Sequence, residues 1–201
     1  MDNLRENTST GTINIGLYEP EVFSEYQGFS ITDKSATTEG LVDENFVNEE
    51  RLKRLKKQFT RELITLIVDE DFEYGVDTKA DALVRSQMRL NALATKSWLN
   101  GIFVENFSNI PVLLGILRVV ARLDYSELYP ESHIMAVAAL SYKNNVEVQE
   151  CGVRAFESWG TVQSLKILEN LKVSTQWLQE YIDEVVSDLR KEYNVSTRQE
   201  N

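Results

Sequence analysis

The stretch from Val146 to Leu171 constrains the fold more than any other part of the chain, because its pattern predicts two short helices joined by one tight turn. Apolar and small residues recur in its first half at the helical spacing of about 3.6 residues, which gives a helix one buried side; they are Val148, Gly152, Ala155, Phe156 and Trp159. Gly160 can end this helix, since glycine tolerates the left-handed conformation that a helix end often needs. Thr161 can then cap a second helix that buries Val162, Leu165 and Leu168.

The run VEVQECGVRAFESWG resembles the first helix of a HEAT repeat, with Val148, Cys151, Ala155 and Phe156 at the usual apolar positions and Trp159-Gly160 at the turn. The run LKILENL resembles the start of the second helix of such a repeat. The resemblance covers about one repeat, residues 146–171. It implies a scaffold that binds proteins, or occasionally nucleic acids, along a concave surface, and it implies no catalytic residue.

Helical periodicity in the rest of the chain predicts an all-α protein. We expect about seven helices, stacked as antiparallel pairs in a short HEAT-like α-solenoid, because a helical pair with one large apolar side needs neighbouring pairs to cover it. The predicted helices span about 43–68, 79–99, 111–123, 130–140, 146–159, 161–171 and 174–193. Large side chains expected on their buried sides include Phe46, Leu90, Leu93, Trp98 and Trp177. The predicted domain boundaries are 1–42 for an irregular acidic segment, 43–193 for the helical-repeat domain and 194–201 for a frayed tail.

The first 50 residues hold most of the net negative charge of the chain. Eleven acidic and two basic residues lie within the first 50 positions, against a formal net charge of −11 for the whole chain. Aromatic residues alternate with the acids and are our first candidate partner-binding residues: Tyr18, Phe23, Tyr26 and Phe29. Three interpretations remain open for this segment. The rings pack against the helical body, or the segment binds a basic protein partner, or it is disordered, although disordered segments usually contain fewer aromatics.

The only dense run of basic residues lies on the first long helix, between positions 51 and 61. It comprises Arg51, Lys53, Arg54, Lys56, Lys57 and Arg61. The run is a solvated helix face, or it binds phosphates, nucleic acid or an acidic protein, or it binds the acidic segment of its own chain. We take Arg54, Lys57 and Arg61 as the second set of candidate partner-binding residues.

The sequence predicts no catalytic residue, no cofactor and no metal site. The single histidine, His133, is expected near a helix start, and the single cysteine, Cys151, at a buried position where a thiol acts as a small apolar group. The acidic turn after the first helix resembles a calcium loop counted from Asp69. However, Gly75 falls at position seven instead of six and Ala80 replaces the glutamate at position twelve, so the calcium interpretation fails.

These features predict a non-catalytic protein-binding scaffold: an adaptor, an assembly subunit, or an inhibitor such as an immunity-type protein. Opposite charges speed encounter, which favours a basic protein partner. The alternative is a nucleic-acid-binding helical-repeat subunit that uses the basic strip 51–61. The apolar runs are shorter than the roughly 20 residues that a membrane span needs, and the first residues lack the pattern of a signal peptide, so we expect no membrane association and a cytoplasmic location.

Overall fold

The computed structural model describes residues 43–70, 72–73 and 75–199, with side chains to Tyr193, and ten helices account for most of this part of the chain. They are α1 (Glu44–Gln58), α2 (Thr60–Asp69), α3 (Lys79–Leu90), α4 (Ala92–Glu105), α5 (Ile110–Ala121), α6 (Tyr125–Leu128), α7 (Glu131–Leu140), α8 (Val146–Trp159), α9 (Val162–Leu168) and α10 (Gln176–Gln199). These described residues form no strand, so they confirm the all-α class. The last helix extends beyond its expected end at Tyr193.

The structure contains more helices than the seven expected because two long predicted helices are each divided and one short helix, α6, was not predicted. The first division is at Phe59, where φ is −112° and ψ is −15°. The second is at Asn91, whose backbone is extended with φ −163° and ψ 98°. The Asn91 side chain accepts a hydrogen bond from the Ala94 amide at 2.9 Å and donates one to Asn48 at 2.7 Å. Asn91 therefore starts α4, and Gly101 lies within this helix.

The predicted pair around Val146–Leu171 forms as expected at its turn. Gly160 ends α8 in the left-handed conformation, with φ 54°. The Thr161 hydroxyl accepts a hydrogen bond from the Ser164 amide, and the Ser164 side chain accepts one from the Thr161 amide, so a reciprocal capping box begins α9. Phe156 is fully buried, whereas Trp159 is half-buried.

Five large apolar side chains expected in the core are exposed instead, and each lies in the first or last turn of its helix. They are Phe46, Leu90, Leu93, Val162 and Trp177, whose exposed fractions lie between 47% and 68%. A helix end extends past the neighbouring helices that cover its middle, so an apolar residue there can satisfy the periodic pattern and still face solvent. The sequence pattern was wrong at these ends.

Two glycines allow helices to pack closely. A Cβ atom at Gly115 of α5 would lie 2.6 Å from the Cβ of Ile67 in α2. A Cβ atom at Gly152 of α8 would lie 3.0 Å from the carbonyl oxygen of Ala136 in α7. The absence of a side chain at Gly152 therefore allows α7 to approach α8 closely, and α8 packs against both α5 and α7.

The buried residues form two apolar clusters. The first extends from α1 to α8 and contains Trp98, whose indole N–H donates to the Thr60 hydroxyl at 2.8 Å. The second joins α7 to α10 around Phe156. Trp159 packs against both clusters, so the turn after α8 lies where the two parts of the core meet.

The acidic turn after α2 caps the next helix. The Glu70 carboxylate accepts hydrogen bonds from the backbone amides of Lys79 at 3.3 Å and Ala80 at 3.2 Å. These amides lie at the positive end of the α3 dipole, where a carboxylate is stabilising. Glu70 thereby offsets the unfavourable placement of acids at the end of α2.

Candidate partner-binding surfaces

The three candidate cations of the basic strip lie on α1 and α2 and are exposed: Arg54, Lys57 and Arg61. None of the three forms an ion pair with another residue that the structure describes. Their charges are thus available to a partner, although their binding role stays a prediction.

The other cations of the strip have partners within the protein. Lys53 pairs with Glu50 at 2.7 Å, and Lys56 lies 3.9 Å from Glu105. Arg51 donates a hydrogen bond to the Gln87 side chain. The basic run therefore divides into residues that have a partner within the protein and residues that form no ion pair with the described residues.

A cleft of about 760 Å³ lies between α5 and α8 and is bordered by the loop that joins α2 to α3. No sequence pattern predicted this feature, which we call the α5–α8 cleft. Its arginines are Arg85, Arg118, Arg122 and Arg154, and its carboxylates are Asp77, Glu147, Glu150 and Glu157. Ala121 and Val76 supply accessible apolar surface among these charges, whereas Leu117 is fully buried. The cleft therefore presents both signs of charge around an apolar floor.

Arg122 and Arg85 fix the wall of the cleft on the α3 side. Arg122 donates to the buried Asp81 carboxylate and to the carbonyl oxygen of Glu73 at 2.7 Å. Arg85 donates to Asp77 at 3.3 Å and to the carbonyl oxygen of Arg122 at 3.2 Å. Both guanidinium groups are thus occupied by acceptors of the chain itself.

Arg154 is also occupied. Its side chain donates twice to Glu150, one turn earlier on α8, at 2.8 and 2.7 Å. Its guanidinium carbon lies 5.2 Å from the ring centroid of Tyr181 in α10. Arg154 therefore links α8 to α10 at the edge of the cleft.

Arg118 differs from these three arginines. It is half-buried on α5, and it forms no ion pair with any residue in the described part of the chain. Its guanidinium carbon lies 4.9 Å from the ring centroid of Phe72, which also stacks below Arg122 at 4.2 Å. Arg118 is thus a cation in the cleft that lacks a carboxylate within the described structure.

Cys151 lines the same cleft and is buried, as predicted. Burial raises the pKa of its thiol, and the positive charge of the nearby Arg118 opposes this effect without cancelling it. A raised pKa disfavours the thiolate, which is the reactive form. Cys151 contributes apolar surface to the cleft.

His133 belongs to an aromatic cluster between α6, α7 and α8. Its Nδ1 lies 3.2 Å from the hydroxyl of Tyr125, and its ring lies edge-to-face against Phe156 at 5.6 Å between centroids. Burial lowers the pKa of His133, so its neutral form is favoured. These contacts give the side chain a packing role in the core.

The remaining sequence-based candidates are Tyr18, Phe23, Tyr26 and Phe29, which lie outside the described residues. Within residues 43–70, 72–73 and 75–193, no group of three metal-ligating side chains is close enough to hold an ion. No helix in the described part of the chain is both long and apolar enough to cross a membrane.

No family model matches the chain, and no characterised protein or solved structure shows detectable similarity to it. The resemblance of residues 146–171 to a HEAT repeat therefore stays a prediction.

Proposed function

We propose that this protein is a non-catalytic protein-binding scaffold, built as a short HEAT-like stack of helical pairs. The observation that carries the proposal is the α5–α8 cleft, where arginines and carboxylates surround apolar side chains. A polypeptide offers both signs of charge, apolar side chains and backbone hydrogen bonds, so it can complement such a surface. Adaptor, assembly-subunit and inhibitor roles all use a surface of this kind.

The charges of the cleft argue against nucleic acid as its ligand. Glu147 and Glu157 are exposed at the rim, and Glu150 lies between them along α8. Phosphate groups are drawn to surfaces with an excess of Lys and Arg and would be repelled by these carboxylates. A protein ligand carries charges of both signs, so it can place basic or uncharged groups against these carboxylates.

Nucleic-acid binding through the basic strip is the second candidate function. It is favoured by the exposure of Arg54, Lys57 and Arg61 and by the lack of ion pairs at all three among the described residues. The near balance of charge over residues 51–201 favours the protein-binding function instead.

A pair of measurements separates the two functions. We expect the purified chain not to retard a short single-stranded oligonucleotide at physiological salt, and we expect proteins from nuclease-treated cell extract to be retained on the immobilised chain. The matched control is the triple variant Arg54→Ala, Lys57→Ala and Arg61→Ala. Two results together would replace our proposal with the nucleic-acid function. The oligonucleotide would bind the wild type at physiological salt, and the triple variant would bind it more weakly, with an affinity that depends less on salt concentration than that of the wild type.

A further inference from the structure

We propose that the α5–α8 cleft binds a peptide segment of a partner protein that carries an acidic side chain, and that Arg118 receives its carboxylate. This inference rests on the proposed protein-binding function and specifies the chemistry of the partner at this site.

The position of Arg118 is the first argument. It is the one charged residue of α5, in the run IPVLLGILRVVA, where eight residues are buried. Solvent around a half-buried guanidinium is reduced, so its attraction for a carboxylate is stronger than in bulk water. A guanidinium can also bind a carboxylate through two parallel hydrogen bonds.

The pairing of the surrounding charges is the second argument. Arg85, Arg122 and Arg154 donate to acceptors of the chain, and these bonds fix the walls of the cleft. Arg118 alone among the four cleft arginines lacks a carboxylate partner within the described structure. An entering carboxylate would meet one available guanidinium in a preformed site, so it would bind without first breaking an ion pair.

The shape and surface of the cleft indicate a peptide segment. Glu147 and Glu157 lie ten residues apart on α8, so the cleft follows the helix for about 15 Å, which matches about five residues of extended chain. Val76 and Ala121 offer apolar contacts in the same cleft as Arg118. A peptide with an acidic residue flanked by apolar residues fits this arrangement, and its backbone N–H groups can donate to the rim carboxylates.

The test is a selection of random phage-displayed peptides on the immobilised full chain. Because displayed peptides are fused at their C-terminus, the selection addresses acidic side chains and excludes a free terminal carboxylate as the source. We expect enriched sequences to share one Asp or Glu beside apolar residues. Synthetic C-terminally amidated copies should lose about tenfold or more in affinity when this acid is replaced by its amide, or when the protein carries Arg118→Gln.

Three variants keep the test specific. Arg118→Gln is checked by circular dichroism for an unchanged thermal midpoint. If that variant unfolds, Val76→Glu on the exposed α2–α3 loop should also weaken binding, because it adds a carboxylate beside the bound acid. Arg89→Gln removes an exposed arginine of α3 outside the cleft and should leave the affinity unchanged.

Two results would overturn the inference. If the selected peptides bind Arg118→Gln and Val76→Glu as tightly as the wild type but lose affinity for the Arg54, Lys57 and Arg61 triple variant, the scaffold function stands and the cleft assignment is wrong. If no sequence is enriched on the wild type, both the cleft assignment and the proposed function lose their support.

Discussion

Arg122, at the C-terminal end of α5, donates a hydrogen bond to the carboxylate of Asp81, which is fully buried in the first turn of α3. The same carboxylate accepts hydrogen bonds from the backbone amide and hydroxyl of Thr78, at 2.8 and 2.9 Å. This ion pair joins α3 to α5 and holds the loop that borders the cleft, because Arg122 also donates to the carbonyl oxygen of Glu73.

We predict that Asp81→Asn destabilises the fold by roughly 3–5 kcal/mol, because removing one partner of a buried pair leaves the Arg122 charge without its counterion. The measurement is the free energy of unfolding in urea. The control is Glu50→Gln, which breaks the exposed pair with Lys53 and should leave stability nearly unchanged. Equal effects of the two substitutions would show that the Asp81–Arg122 pair does not stabilise this wall.

Close packing of α2 and α5 predicts opposite effects for two glycine substitutions. Gly115→Ala places a methyl group 2.6 Å from the Ile67 Cβ, so it should destabilise by about 1–3 kcal/mol. Gly101→Ala, within α4, meets only the Lys56 side chain at 3.8 Å and should stabilise by about 0.5–1 kcal/mol, since alanine favours the helix. Thermal denaturation of both variants measures the contrast. A neutral Gly115→Ala would mean that α2 and α5 are less closely packed than described.

Phe156 is the largest fully buried side chain of the second cluster, so Phe156→Ala should lower the free energy of unfolding by roughly 3–5 kcal/mol. Trp159→Ala should cost less, because Trp159 is half-buried. Trp177→Ala is the matched control, since Trp177 is 47% exposed. Denaturant titrations should rank the three losses in that order, and a loss below about 1 kcal/mol for Phe156→Ala would place its ring outside the core.

The environment of His133 predicts a loss of stability in mild acid. Burial lowers the pKa of His133 in the folded protein below its value of about 6.5 in the unfolded chain. The unfolded chain therefore binds the proton more readily, and stability falls as pH drops through the unfolded pKa.

His133→Asn removes the only histidine, so this variant should lose less stability than the wild type between about pH 7.5 and about pH 5.5. Urea titrations at both pH values measure the difference. Identical losses in the two proteins would contradict the effect of burial on His133.

Local chemistry predicted the turn after α8 well, because its determinants are adjacent in sequence. Gly160 supplies the left-handed conformation, Thr161 supplies the cap, and the small Gly152 allows α7 to approach. Each of these effects depends on one or two neighbouring residues.

The divisions of the long helices could not be predicted in the same way. Apolar spacing continues through Phe59 and Asn91, so periodicity alone favours continuous helices. The extended backbone at Asn91 is accompanied by a hydrogen bond to Asn48, a residue far away in sequence. The division between α3 and α4 at Asn91 is therefore accompanied by a tertiary contact, which the periodic pattern of the sequence does not show.

The cleft combines residues from α3, the loop before it, α5 and α8, which the sequence separates widely. Arg118 gave the one local signal, as a single charge within an apolar helix. The sequence could not show that Arg118 lacks an ion pair. This property depends on which arginines the carboxylates of Asp77, Asp81 and Glu150 bind in the folded protein.

Site-specific photo-crosslinking in cells of the source organism most directly tests whether the α5–α8 cleft binds a protein. Benzoylphenylalanine is placed at Ser158, an exposed residue of the cleft. Its crosslinked adducts should be degraded by protease but not by nuclease. The Arg118→Gln substitution should abolish these adducts. The same probe at Gln163, exposed on α9, is the control position. We predict protein adducts at Ser158 that depend on Arg118. Nuclease-sensitive adducts would contradict a protein-binding cleft. Protein adducts that are equally abundant at both positions and unaffected by Arg118→Gln would contradict it as well.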